Sequence, residues 1–368
     1  MQFRNLALSV SVFTTTALTE VAFAQEPPAQ KQPPTRDEML AWLKESLPFS
    51  IHGGVLMWHY QPLDLSHTDP NSEIYYANLL FDTKFDDRFG YHFEPRFRDT
   101  KLRPFFESNI WIQENYLSFR PCGEDGGVLK AGKIYTQFGR FWDGVFYGNI
   151  PYFDGLKLDP DIGLSWEQRV KASETVAVDW SAQFFAQDGA TNGSLQNRDT
   201  LSVGTQRNIG VVRVAPTFEF SEKTSATVGV SAMRFEADLP APTNDGNVTR
   251  LNAEAALTVG PFTVFGDYTH QQGDHVVDFP VVGSNSRDID YLMSGLSYQK
   301  GDFTLRYSYS YADYSDVDVK EDLHLPRVEY KVNSHLSIWL EYVYWNRDTD
   351  GHNTIQDRSL NLILYGSF

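Results

Sequence analysis

From about residue 49 to the end of the chain, apolar and polar residues alternate with a period of two, the periodicity of extended strands whose two faces meet different surroundings. Leu336, Ile338, Leu340, Tyr342 and Tyr344 alternate with Ser337, Trp339, Glu341, Val343 and Trp345. Phe303, Leu305, Tyr307 and Tyr309 alternate with Thr304, Arg306, Ser308 and Ser310, and Val176, Val178, Trp180, Ala182 and Phe184 with Ala177, Asp179, Ser181 and Gln183. The first set of each suits lipid. The second places Asp, Arg, Glu and Ser at strand centres, where a dry core would lose several kcal/mol for each unpaired group, so it suits water or a salt-bridged plug.

Strands of this kind are expected near 49–60, 73–85, 89–98, 109–119, 128–138, 164–171, 175–187 and 207–220, and again near 224–236, 248–259, 262–271, 288–299, 302–313, 321–331, 335–346 and 358–368. That is about sixteen, most of them long enough for a tilted membrane crossing. Short connections (DDR, KASE, SEK, GP, KG, VNS) alternate with long ones such as 61–72, 139–163, 188–206, 237–247 and 273–287. Turns on one rim and loops on the other are the asymmetry of an outer-membrane barrel, with the turns on the periplasmic side. The closing stretch LNLILYGSF puts Leu360, Leu362, Leu364, Gly366 and Phe368 on one face. It reads as a last strand that pairs with the first and leaves no edge.

The N-terminal region breaks the alternation. Residues 1–24 carry Arg4, an apolar and small-residue stretch from Leu6 to Leu18, and Ala22-Phe23-Ala24 before Gln25, the pattern of a cleaved secretory signal peptide. The linker QEPPAQKQPPT leads into RDEMLAWLKESL, where Met39, Leu40, Leu43 and Leu47 fall at helical spacing. This predicts a short amphipathic helix on the periplasmic side. The expected organisation is a signal peptide over 1–24, linker and helix over 25–48, and a transmembrane β-barrel over 49–368.

Composition narrows the reading. A formal charge of -17 argues against nucleic acid as a partner. The 19 Tyr and 26 Phe are the aromatic supply that interface girdles need. Cys122, the single cysteine, makes no internal disulfide. Nine histidines are scattered, and no HExxH, GxSxG or closely spaced ligand set occurs, so no catalytic residue, metal or cofactor is expected.

The connection GRFWDGVFYGNIPYFDGLKLDPDIG, residues 139–163, is too aromatic for a solvated loop. Its glycines and prolines allow tight folding. An inward fold against the barrel wall satisfies both features; capping the mouth or packing on a neighbouring subunit is the alternative. With this loop the chain resembles the sixteen-stranded porins of Gram-negative outer membranes. More loosely, Glu114, Tyr116, Gly132, Lys133, Phe138 and Gly139 resemble positions before the constriction of the phosphate-selective porin O and P type. The resemblance implies an all-β, antiparallel up-and-down barrel with an inward-folded third extracellular loop. It also implies passive diffusion of small hydrophilic solutes or ions, a homotrimer, and outer-membrane lipid and lipopolysaccharide as surroundings.

Parity places Arg96, Arg98, Lys133, Arg169 and Arg213 on the lumen wall around that loop, while the loop carries Asp143, Asp154, Asp159 and Asp161. Opposed in a narrow pore, they would set a transverse field that selects ions. The alternative is that these charges neutralise one another in pairs. Asp290 is also expected inside; Trp166 is read either as an inward aromatic suited to sugar stacking or, as is commoner for an aromatic at a strand end of a barrel, as an interfacial one. Two other functions stay open: a structural or adhesive barrel with a plugged lumen, and a barrel enzyme.

Overall fold

The structure is a computed structural model. It describes residues 50–63, 70–99, 110–123, 126–140, 160–187, 205–238, 246–273, 277–278, 285–286, 288–315, 318–349 and 352–368. The expected signal peptide, linker and helix lie outside the described residues.

The strands are β1 (Ser50–Pro62), β2 (Asn71–Lys84), β3 (Phe89–Asp99), β4 (Ile110–Phe119), β5 (Val128–Ile134), β6 (Asp161–Lys171), β7 (Val176–Gln187), β8 (Thr205–Ser221) and β9 (Thr224–Asp238). They continue with β10 (Gly246–Val259), β11 (Phe262–Gly273), β12 (Val277–Asp278), β13 (Asn285–Ser286), β14 (Ile289–Lys300), β15 (Phe303–Tyr314), β16 (Val319–Asn333), β17 (Leu336–Thr349) and β18 (His352–Ser367). β12 and β13 form a separate two-stranded ribbon, and the other sixteen close into a barrel in which each strand pairs with its chain neighbours. All sixteen strands expected from the alternation are present, and the pairing is antiparallel throughout, including the closure of β1 on β18.

The closing seam is hydrogen-bonded at both backbone and side-chain level. Phe368 N donates to Gly53 O at 3.0 Å and Gly53 N donates back to Phe368 O at 3.2 Å. Trp58 Nε1 donates to Asn361 Oδ1 at 2.8 Å, joining β1 to β18 inside the barrel.

Two-sided surroundings explain the alternation. In β10, Val248, Arg250, Asn252 and Glu254 are buried, while Thr249, Leu251, Ala253 and Ala255 between them are exposed. Large apolar side chains stand exposed around the outside, among them Met57, Leu79, Leu117, Val230, Leu251 and Leu362. In water such a belt would be a large unfavourable surface; in a bilayer it is the lipid face. Aromatic pairs flank the short turns: Phe89 with Phe119 at 4.7 Å between ring centroids, Phe262 with Tyr298 at 4.8 Å, and Phe303 with Tyr330 at 4.7 Å. They form the girdle at that rim.

The interior is divided. Toward the long connections it is apolar, with Phe185, Ile209, Phe235, Val248, Ile289, Tyr314 and Val319 in one buried cluster. Toward the short turns Arg169, Lys171, Asp179 and Glu219 line it instead. This division corrects one expectation. In β14 the inward residues are Ile289, Tyr291 and Met293, and Asp290 faces outward with Tyr268 and His270. Trp166 shares the outward face of β6 with Leu164 and sits 6.4 Å from Trp180, as girdle residues do.

β5 also departs from the expected 128–138. It ends at Ile134, and residues 135–138 leave the sheet. Gly132, at φ 141°, breaks the alternation, so that Lys133 and Ile134 are both buried.

Candidate functional site

Residues 135–140 cross the barrel interior. Having left the β5–β6 ladder, the backbone donates instead to side chains on progressively more distant strands. Gln137 N donates to Gln183 Oε1 of β7 at 2.6 Å, Gly139 N to Ser231 Oγ of β9 at 3.1 Å, and Arg140 N to Asp267 Oδ2 of β11 at 2.5 Å. Phe138 is 1% exposed within the apolar cluster, and the Arg140 guanidinium lies 5.3 Å from the Phe265 ring centroid.

Gly139 is required where it stands. Its φ is 60°, and a Cβ there would lie 2.8 Å from Asn252 Nδ2 and 2.9 Å from Asp267 Oδ2. Those side chains are themselves held in place: Asn252 Nδ2 donates to Asp267 Oδ1 at 2.5 Å and to Thr269 Oγ1 at 2.9 Å. The six residues opening the long third connection are thus seated against β9, β10 and β11 across the lumen. Residues 141–159, which carry Asp143, Asp154 and Asp159, lie outside the described residues. Asp161, the first residue of β6, is buried at 2% exposure.

The basic residues read from the sequence fall into different settings. Arg213 of β8 ion-pairs with Glu254 of β10. Arg169 of β6 pairs with Asp179 of β7 at 3.0 Å. Both arginines line one open cavity of about 860 Å³, together with Arg120, Glu167, Lys171 and Glu219. Lys133 lies on β5 and is buried.

Arg96 and Arg98 belong to β3 and differ from each other. Arg96 Nε donates to Glu94 Oε1 at 2.7 Å, and its guanidinium lies 5.0 Å from the Tyr76 ring centroid. Arg98 is 2% exposed; Nε donates to Tyr75 O at 2.8 Å, and the guanidinium lies 4.5 Å from the Tyr75 ring and 4.9 Å from the Trp111 ring. Arg98 therefore packs between aromatic faces. The cavity brings Arg169 and Arg213 together, and leaves Arg96, Arg98 and Lys133 on separate parts of the wall.

Sequence reasoning gave no special place to Asn252, Ser231 or Gln183. They carry ordinary polar side chains on inward positions, and the only available signal was their parity. Glu254 and Asp267 are charged residues at inward positions, and nothing local in the sequence points to their partners.

No protein-family model and no curated protein sequence matches the chain. Solved structures do. Salmonella typhi OmpF in complex with daunomycin superposes with TM-score 0.65 at 12% identity, covering 87% of this chain and 97% of that one. The anion-selective porin from Comamonas acidovorans gives TM-score 0.59 at 10% identity, covering 87% and 99%. OmpT, an outer membrane protein of Vibrio cholerae in its trimer form, gives TM-score 0.55 at 14% identity, covering 87% and 98%. At these identities the likeness establishes architecture, and that architecture is the sixteen-stranded barrel of the outer-membrane porins.

Proposed function

We propose that the chain is an outer-membrane porin, a passive channel for small hydrophilic solutes or ions. One observation carries this reading: inside an apolar-faced closed barrel lies an open cavity lined by Arg120, Glu167, Arg169, Lys171, Arg213 and Glu219. Charged side chains facing such a space are hydrated, which a filled core would not allow.

The narrow zone is the connection 139–163, continuing the inward course that Gly139 and Arg140 begin. Its seat would be the apolar interior cluster around Phe185, Met233 and Tyr291. Asp143, Asp154, Asp159 and Asp161 would then face Arg96, Lys133, Arg169 and Arg213 across the lumen, with Arg98 behind them bracing the wall. Delivery by a signal peptide over 1–24 and a homotrimeric assembly complete the proposal; the trimer form of the Vibrio cholerae relative supports the latter.

The same apolar cluster also favours a second reading, a structural barrel whose lumen is plugged. Liposome swelling separates them. Refolded protein in vesicles should admit sugars at rates that fall with solute size. Vesicles that hold folded barrel and do not swell in any of the sugars would favour the plug.

A further inference from the structure

On the interior wall, Glu94 of β3 stands directly opposite Glu114 of β4 in the strand register. Like charges in directly opposed positions destabilise a sheet, and here the side chains are 4% and 19% exposed. A β-bulge follows immediately, between Glu94 and Pro95, the kind of irregularity that re-aims side chains.

His92, two residues before Glu94, completes a group. One ligand atom from each of His92, Glu94 and Glu114 lies within 4.8 Å of the others. The His92 side chain is 10% exposed, and its Nε2 is buried with no hydrogen-bond partner, 3.9 Å from Glu114 Oε2. Its Nδ1 is 2.7 Å from Asp82 Oδ1, and the ring stacks on Tyr116 at 4.9 Å. Donation of Nδ1–H to Asp82 selects the tautomer with a lone pair on Nε2, aimed at the two glutamates. A metal-binding histidine is oriented by a carboxylate in the same way.

Asp82, Glu94 and Glu114 surround one imidazole. Of the nearby fixed cations, Arg96 is bonded to Glu94, at 2.7 Å, and Lys130 to Glu167, at 2.8 Å. Both bonds to Glu94, from Asn78 and Arg96, fall on Oε1.

We propose that His92, Glu94 and Glu114 bind a divalent first-row transition metal, with Asp82 positioning the histidine and Glu114 the ligand nearest the lumen. One imidazole and two carboxylates with an open fourth position suit Zn²⁺. Ligand atoms around tetrahedral Zn²⁺ lie about 3.3 Å apart, so side-chain rotation alone would close the site. The ion would replace the opposed-carboxylate repulsion with a cross-strand bond between β3 and β4.

The test uses the full refolded barrel, freed of metal by chelation and then titrated with Zn²⁺ alone by calorimetry and with Co²⁺ by visible absorption. Each chain should take up one ion, with tetrahedral Co²⁺ bands. Affinity should fall tenfold or more in His92→Gln and in Glu114→Gln, and by about ten- to a hundredfold in Asp82→Asn, which keeps every ligand. Heat-modifiable gel mobility identifies the variants that fold, and the isosteric Glu114→Gln keeps the test open if His92→Gln does not. Absence of saturable binding would overturn the proposal. So would binding that all three variants retain, because the ion would then sit on acidic loops.

Discussion

Glu254 reaches across an intervening strand to ion-pair with Arg213: the arginine is on β8, the glutamate on β10, and β9 runs between them. The bridge is possible because the residue beneath it is Gly229, directly opposite Glu254 in the register. A Cβ on Gly229 would lie 2.5 Å from Glu254 Oε1 and 2.8 Å from Cγ. With Glu254 3% exposed at its side chain and Arg213 22% exposed, the pair presents little net charge to the lumen.

Breaking the pair from either side should therefore move selectivity in opposite directions. Glu254→Gln exposes the Arg213 charge and should shift the reversal potential toward anions. Arg213→Ser strands a buried carboxylate, should shift it toward cations and should cost about 3 kcal/mol in unfolding free energy. Reversal potentials under a KCl gradient and urea unfolding in detergent check both.

Gly229→Leu should mimic Glu254→Gln without touching either charge. The new side chain occupies the space of the carboxylate, so Glu254 must swing away from Arg213. An anion shift in Gly229→Leu, absent in the exposed outward substitution Val230→Leu, is the expected outcome.

Arg96 and Arg98 were expected from the sequence to act together, but their surroundings separate them. Arg98→Ser should leave the reversal potential unchanged and lower stability by on the order of 2 kcal/mol, the loss of its contacts with Tyr75 and Trp111. Arg96→Ser should shift the potential toward cations, because it leaves Glu94 without its charged partner.

The crossing segment depends on Gly139 and Asp267. Gly139→Val meets both the left-handed backbone, about 1–2 kcal/mol for a side-chain residue, and the crowding against Asn252 and Asp267. Asp267→Ala removes the acceptor for Arg140 N. Each should release the start of the connection from the β9–β11 wall and raise single-channel conductance, with the barrel itself still heat-modifiable.

At the turn rim, Asp86 offers a pH handle. Its Oδ1 accepts the backbone N–H of Arg88 and of Phe89, each at 2.7 Å, and these bonds hold its carboxyl below the usual carboxylate value. A depressed pKa stabilises the turn above the unfolded carboxylate range, and that contribution disappears as pH falls through the lowered value. The protection of the Arg88 and Phe89 amides, taken relative to their intrinsic exchange rates, should fall as pH drops below the ordinary carboxylate pKa, and in Asp86→Ala it should be low and independent of pH.

The barrel was legible because each crossing imposes the same alternation, as in Leu336 to Trp345, and because the short turns declare where strands reverse. The rule that polar residues face inward failed where the interior is packed. β14 turns Ile289, Tyr291 and Met293 inward, so polarity alone assigned Asp290 to the wrong face. Parity also says nothing about what covers an inward residue, which is why Arg98 and Arg213 looked equivalent. The Arg140 to Asp267 bond joins residues 127 positions apart, and no local pattern announces such a contact. Gly229 likewise reads as an ordinary strand glycine until the side chain passing over it is seen.

The most direct test of the channel reading is the current through purified protein in a planar bilayer under a KCl gradient. An open porin should give discrete conductance steps, grouped in threes, with a definite reversal potential that Glu254→Gln moves toward anions. A folded, heat-modifiable barrel that inserts and passes no current would contradict it.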